Sequence, residues 1–401
     1  MAPADPLPRF SLALDGPLYR LYRRTRLLRP PLALLPRRLL AVCTIAWLPP
    51  LALALAGARA VSGVHVPFLA DLATHIRLLV ALPLLVAAEP LVHWRLAIVV
   101  REFIARGIVV GPERAAFESI VGLTVRMRDS AWAEAALLAV STALGYLTWR
   151  IHWSVDGTTW YAALNARGRP HLTAAGWWYA FVSLNLFRFL LLRWGYRLAI
   201  WYRFLWSTSR LRLRLNPLHP DRAGGLGFLA FSLAALAPPL LATTVTIAGA
   251  IGSQILHDGV KLSAYATEIA LTPLALAAAV TLPLAFFSLA LIRTGVEGRH
   301  EYGRFAMRYV DGFRRKWLPR RGEVFATSRV TGEDSPLGSP DIQSLADLAN
   351  GYEVVRTGRA FPVGARHVLA LVIVLALPFL PLALTAVPLD QLIRRLLGQL
   401  I

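Results

Sequence analysis

The sequence predicts an all-α fold: a polytopic membrane helical bundle of six to seven transmembrane helices with a small helical cytoplasmic appendage. Three observations predict it. Of 401 residues, 56% are hydrophobic and only 16% charged, with a mean hydropathy of +0.52, whereas an ordinary soluble domain is about 45–50% apolar and about 25% charged. Uncharged apolar runs of membrane-crossing length recur along the chain. Basic residues gather on alternate connecting segments. Together these exclude a disordered chain, a secreted disulfide framework and a conventional soluble enzyme.

The apolar runs fall at 39–57, 78–94, 131–149, 173–192, 228–255, 269–292 and 368–388. A span needs roughly 20 residues at 1.5 Å each to cross about 30 Å of hydrocarbon. The second run is short, and the fifth is long enough for tilt or a kink. The seventh holds Pro378, Pro381 and Pro388, so it either crosses or turns back as a re-entrant segment. Ala58-Arg59-Ala60 imitates a signal-peptide cleavage site, but the basic region before it extends to Arg38 and the apolar run exceeds an h-region. The first run is therefore expected to be a retained span.

Placing the amino terminus in the cytoplasm puts 34 of the 43 Lys and Arg on inside segments and 8 on outside ones, with Arg188 left inside a span. That asymmetry predicts a cytoplasmic amino terminus, and the use of arginine almost to the exclusion of lysine, which occurs only at Lys261 and Lys316, points to a bacterial inner membrane. The organisation follows: 1–38 as a basic interfacial helix, 39–292 as a six-span bundle carrying a cytoplasmic amphipathic helix at 112–130, 293–366 as a helical cytoplasmic region, and 367–401 as a hydrophobic span or re-entrant segment. Aromatics are expected to form belts, with Trp149, Trp153, Trp160, Tyr161, Trp177 and Trp178 at the outer interface and Trp94, Trp194, Trp201, Tyr202 and Trp206 at the inner one.

Leu18, Leu21, Tyr22 and Leu28 share a face beside Arg20, Arg23, Arg24 and Arg26, the pattern of a helix resting on anionic lipid. Phe117, Ile120, Val121 and Thr124 mark one amphipathic helix after Pro112, and Tyr302, Phe305, Ala306, Tyr309 and Phe313 mark a second. A third opens at Ser339-Pro340, an N-cap and N1 pair, with a stripe of Ile342, Leu345, Leu348, Ala349, Tyr352 and Val355 that calls for a partner surface. The bilayer, a second copy of the chain and a cytoplasmic protein meeting 293–366 are the expected partners; nucleic acid is not, because the basic residues flank spans. The lone Cys43 excludes internal disulfides and thiolate metal cages. No histidine spacing fits a metal, and no P-loop, nucleophile elbow or haem-attachment motif implies a cofactor or a catalytic residue.

Charge inside the spans is the most informative feature. Glu89, Glu134 and Arg188 each lie a few residues from the cytoplasmic boundary, roughly 6–9 Å below it. Each costs several kcal/mol if isolated, so pairing or water access is expected. One reading is a gate in a channel or transporter for an ion or small polar solute, with His93 and Asn185 one helical turn away as supporting groups. The other is a structural ion-pair cluster or snorkelling side chains in a non-transporting scaffold or signalling protein. Thr243, Thr246, Gly249 and Ser253 form a small polar stripe that lines a pore or packs closely.

Proline interrupts several spans. Trp47-Leu-Pro-Pro-Leu parallels Leu236-Ala-Pro-Pro-Leu, and Leu82-Pro83-Leu parallels Leu282-Pro283-Leu, the pattern of a weak parallel repeat with broken helices near a transport site. The glycines of His219-Pro-Asp-Arg-Ala-Gly-Gly-Leu-Gly lack the spacing and preceding strand of a phosphate loop and read as a tight turn into the fifth span.

That segment, continued to Phe228-Leu229, together with Glu301-Tyr-Gly to Lys316-Trp317 and Asp341-Ile-Gln-Ser-Leu-Ala-Asp-Leu-Ala-Asn350, resembles uncharacterised multi-pass bacterial inner-membrane proteins over the second half of the chain. The resemblance implies a membrane location and carries no activity and no site residues.

Overall fold

The computed structural model describes residues 10–30, 32–152, 159–164, 170–318 and 340–386. Within them the chain is a helical bundle with seven helices long and apolar enough to cross a membrane. In chain order, α1 is Pro17–Arg24, α2 Leu35–Ala56, α3 Leu72–Ala105 and α4 Glu113–Arg128. Then come α5 at Ala131–His152, a two-strand antiparallel hairpin of β1 (Ala162–Leu164) and β2 (Pro170–Leu172), α6 at Ala174–Ser209 and α7 at Leu226–Asp258. Last are α8 at Leu262–Trp317, α9 at Pro340–Arg356 and α10 at Ala365–Ala383. The spans are α2, α3, α5, α6, α7, α8 and α10.

The spans outrun the apolar stretches that announce them. The stretch at 78–94 lies inside the 34-residue α3, and the one at 173–192 runs from the N-cap of the 36-residue α6 to its middle. The amphipathic stretch around Tyr302–Phe313 is not a separate helix; it continues span six without a break to Trp317. α9 packs back on this extension through Tyr309, whose hydroxyl donates to the Asp341 carbonyl at 3.1 Å, and through Lys316 on the Asp341 carboxylate at 2.6 Å. Only Leu348 and Val355 of the α9 stripe are buried, while Ile342 and Ala349 stay exposed. α10 has length and composition enough to cross. Ser339 and Pro388 lie outside the described residues, as do positions 1–9 and 387–401.

Residues 10–30 and 32–34 do not form one free amphipathic helix. α1 is two turns long and buries Tyr19 and Tyr22 rather than Leu21, which is 53% exposed. The segment threads into the arginine-rich end of the bundle, where Phe10 meets the rings of Trp201 and Phe204 at 6.2 and 5.4 Å. A buried aromatic core lies there: Phe103 from α3, Phe117 from α4, Phe204 from α6, Phe228 from α7 and Phe287 from α8. The Phe103–Phe228 pair is edge-on at 5.0 Å, a geometry worth about 0.5–1.5 kcal/mol beyond area burial. The expected aromatic belts hold only in part. Trp94, Trp177 and Trp206 are exposed, but Trp160, Trp194 and Trp201 are buried in the core. The side chains of Trp149 and Trp153 lie outside the described residues.

α6 is the hub, and its side chains finish what proline leaves undone. A proline at position i removes the donor for the carbonyl at i−4. Pro49 and Pro50 in α2 free the carbonyls of Ile45 and Ala46, and these accept from Trp178 Nε1 at 3.0 Å and Ser183 Oγ at 2.6 Å. Pro283 frees the Ala279 carbonyl, which accepts from the Tyr202 hydroxyl. The two proline-bearing halves diverge in local geometry. Pro83 follows a π-helical turn at Ile76–Ala81, whereas Pro283 sits in a 3₁₀ turn at Leu282–Phe287. The matched proline sequences therefore do not form matched structures.

Candidate functional site: a buried arginine–glutamate cluster

α6 carries Arg193 and Arg197 one turn apart, hence on one face. Glu89 of α3 and Glu134 of α5 project to the same place, and Arg38 enters from the first turn of α2. Arg193 bridges the acids, with Nη1 2.7 Å from Glu89 Oε1 and Nε 2.7 Å from Glu134 Oε1. Arg197 Nη2 adds a 3.0 Å contact to Glu89 Oε1, and Arg38 Nη1 meets Glu89 Oε2 at 2.9 Å. All five side chains are at most 8% exposed. Three guanidiniums face two carboxylates, so the cluster holds one positive charge in excess. Arg197 also lies over the Trp194 ring at 4.7 Å.

The amino-terminal segment closes the cluster on its arginine-rich side. The Leu18 backbone N–H donates to Glu134 Oε2 at 2.8 Å, Arg38 Nη2 donates to the Leu32 carbonyl at 3.1 Å, and Arg128 Nη1 donates to the Ser11 carbonyl at 2.6 Å. Arg128 is itself paired with Asp129 at 2.7 Å. Tyr22 packs beside the cluster, and burial, reinforced by the Glu89 charge, pushes its phenol up to about 12, so it stays neutral. A cavity of about 10 Å³, room for about one water, is lined by Arg128, Glu134, Arg193, Tyr196 and Arg197.

The expected site residues separate. Glu89 and Glu134 meet, through Arg193. Arg188 does not join them, because five residues of α-helix turn it about 140° from Arg193; its Nη1 instead lies against Gly145 of α5. His93 has no hydrogen-bond partner on its buried Nδ1 and does not touch the cluster through a hydrogen bond. Asn185 bonds to Ser141 at 2.5 Å and Thr142 at 3.2 Å on α5, not to Arg188. In the α7 stripe, Thr243 and Thr246 donate to their own helix at Pro239 and Ala242, Ser253 lies 3.4 Å from His257 Nδ1, and Gly249 faces Ile76 of α3. That is close helix packing. Arg38, Arg193 and Arg197 escape a hydropathy-based reading, whose runs 39–57 and 173–192 stop just short of them. The i, i+4 spacing of Arg193 and Arg197 was the signal available.

A second polar cluster occupies the far end of the same helices. Asp71 Oδ2 accepts from Trp160 Nε1 at 2.9 Å and from the Thr74 hydroxyl at 2.8 Å, the Tyr179 hydroxyl in turn donates to Thr74 Oγ1 at 2.9 Å, and Arg77 donates to the Tyr179 oxygen at 2.6 Å. Between the two clusters α3 and α6 present Leu82, Leu85, Phe187 and Leu190, all buried in one core.

The glycine-rich turn before α7 holds its own anion. Asp221 accepts from the backbone N–H groups of Ala223, Gly225 and Gly227 at 2.8, 3.1 and 2.8 Å and lies 2.9 Å from His219 Nδ1. Partial burial raises its pKa, but the three N–H groups and His219 outweigh that and hold the carboxyl below its usual range. A depressed folded pKa contributes stability above the ordinary aspartate pKa of about 3.9, lost as pH falls through the folded value. Asp221→Asn is therefore expected to lower stability by about 1.5 kcal/mol at neutral pH, with the gap to wild type closing below about pH 4. Melting midpoints across pH in detergent check this; a pH-independent gap contradicts it.

No protein-family model matches this chain, and neither a curated protein nor a solved structure matches it. Fold and site together define a multi-pass helical membrane protein whose core carries a closed arginine–glutamate cluster.

Proposed function

We propose that the protein passes an ion or small polar solute across a bacterial inner membrane, amino terminus in the cytoplasm, and that the Arg38–Glu89–Arg193–Glu134–Arg197 cluster is its closed gate. One observation carries this: a net positive cluster inside the bundle is shut on one side by a docked chain segment rather than by the spans. A surplus buried charge costs stability that a purely structural core has no reason to keep. Segment 10–34 is held by hydrogen bonds to Glu134, Arg38 and Arg128, and so is separable from the cluster. The second polar cluster at the far end of the same helices fits a route that continues beyond the gate. The excess of Lys and Arg on alternate segments supports the orientation.

The test is flux into proteoliposomes of purified protein against protein-free vesicles, using chloride, potassium, protons and a neutral osmolyte in turn. Flux of any one above the empty vesicles is the expected result. No flux of all four from folded protein removes the reading. A non-transporting scaffold is favoured by one observation, the complete pairing of both carboxylates around room for a single water. Under it, the exposed Phe305, Met307 and Ile342 on α8 and α9 would receive a cytoplasmic partner or a second copy of the chain.

A further inference from the structure

Three points where the chain meets the membrane converge on the arginine-rich face: the turn before α7, the emergence of α8, and the turn before α10. A cavity of about 150 Å³ lies between them. A cavity of about that size accommodates a benzene-sized molecule. Arg222, Arg299 and Arg359, one from each chain passage, line it, and no carboxylate does.

We propose that this cavity binds a phosphate group at the membrane surface, that of an anionic lipid headgroup or of a soluble phosphate compound. These three arginines are exposed and lie on the walls of the cavity, where their guanidiniums can supply the charge-assisted donors that a phosphate accepts. Glu353, which feels the Arg222 charge, is ion-paired with Arg356 at 2.8 Å. The walls are fixed. The Arg359 N–H donates to the Arg222 carbonyl at 2.6 Å. Arg222 is held in the left-handed region at φ 55°, a strained conformation that persists only where the surroundings impose it. Gly364 carries no Cβ where one would stand 2.8 Å from Arg359 Nη1, so the guanidinium has room to lie against the backbone. Leu291 and Ile292 of α8 line the same cavity, and Ile292 is 48% exposed, so an apolar wall leads from the arginines onto the lipid-facing side of span six. Basic pockets between spans at the headgroup level are where phospholipid phosphates bind. The inference is independent of transport.

The experiment measures binding to the purified full chain by native mass spectrometry and by melting shift. The arms are inorganic phosphate, glycerol phosphate, phosphatidylglycerol and phosphatidylcholine. Each of Arg222→Gln, Arg299→Gln and Arg359→Gln is expected to weaken binding about tenfold. Thr294→Phe, which fills the cavity and leaves all three charges, is expected to weaken it as well. Binding of phosphatidylglycerol over phosphatidylcholine, without the soluble compounds, assigns the site to a lipid headgroup. Binding of glycerol phosphate or inorganic phosphate assigns it to a soluble compound. No binding in any arm, or binding unchanged in the folded arginine variants and in Thr294→Phe, overturns the proposal.

Discussion

Glu89→Leu is expected to be the most damaging single substitution in the bundle, lowering stability by about 3–5 kcal/mol. Glu89 is the shared partner of Arg38, Arg193 and Arg197, at 2.7–3.0 Å. Its loss leaves three guanidiniums with only Glu134 to answer them, in a core with room for about one water. Arg38→Leu is expected to cost less, although Arg38 is fully buried. Its removal leaves two arginines against two glutamates, a neutral set, and Glu89 keeps both α6 partners. Melting midpoints of the two variants in detergent check the ranking. Equal losses, or a larger one for Arg38→Leu, contradict the charge count.

Gly176→Val is the second large effect. Gly176 stands in the first turn of α6, where a Cβ would fall 2.0 Å from the Tyr161 carbonyl oxygen. The obstacle is backbone, so no rotamer relieves it. Tyr161 is fixed in turn, because its carbonyl accepts from the Thr173 N–H at 3.1 Å, while the Thr173 hydroxyl caps α6 by accepting from the Gly176 N–H at 3.0 Å. The expected loss is about 3 kcal/mol, the upper end for overpacking. Beside it Trp160 packs edge-on to Phe68 at 4.8 Å, so the far-end polar cluster is expected to loosen too. Gly195→Ala, in the same helix with nothing within 4 Å of the added carbon, is the control and is expected to be neutral or mildly stabilising. A Gly176→Val protein that melts with wild type contradicts the packing described.

The spans were legible because the bilayer imposes one strong rule, about 20 apolar residues without breaks. Each of the seven runs overlaps a helix that is, among the described residues, long and apolar enough to cross. Their ends were not legible, and that hid three of the five residues of the site. Arg193 and Arg197 look like a loop to hydropathy, yet α6 continues to Ser209 and turns them inward toward acids contributed by other helices. Which arginine meets which glutamate depends on helix rotation, and residue depth alone does not report it; Arg188 has suitable depth on the wrong face. The prolines were visible but their meaning was not. A freed carbonyl can line a route or be capped by a neighbour, and the caps Trp178, Ser183 and Tyr202 lie more than 75 residues away or more than 130. The glycine-rich turn was legible as a turn; Asp221 as its internal anion follows only from the folded path of the chain.

The claim that the cluster is a gate is tested most directly by comparing flux through wild type and Glu134→Gln in matched proteoliposomes, with melting midpoints confirming that both are folded. Neutralising Glu134 weakens its hold on Arg193 and on the Leu18 N–H together. A shift of about 1.4 kcal/mol in the closed-to-open balance gives about a tenfold rise in flux, which is the predicted result. Equal flux from two folded proteins would contradict the gate and leave the cluster a structural core.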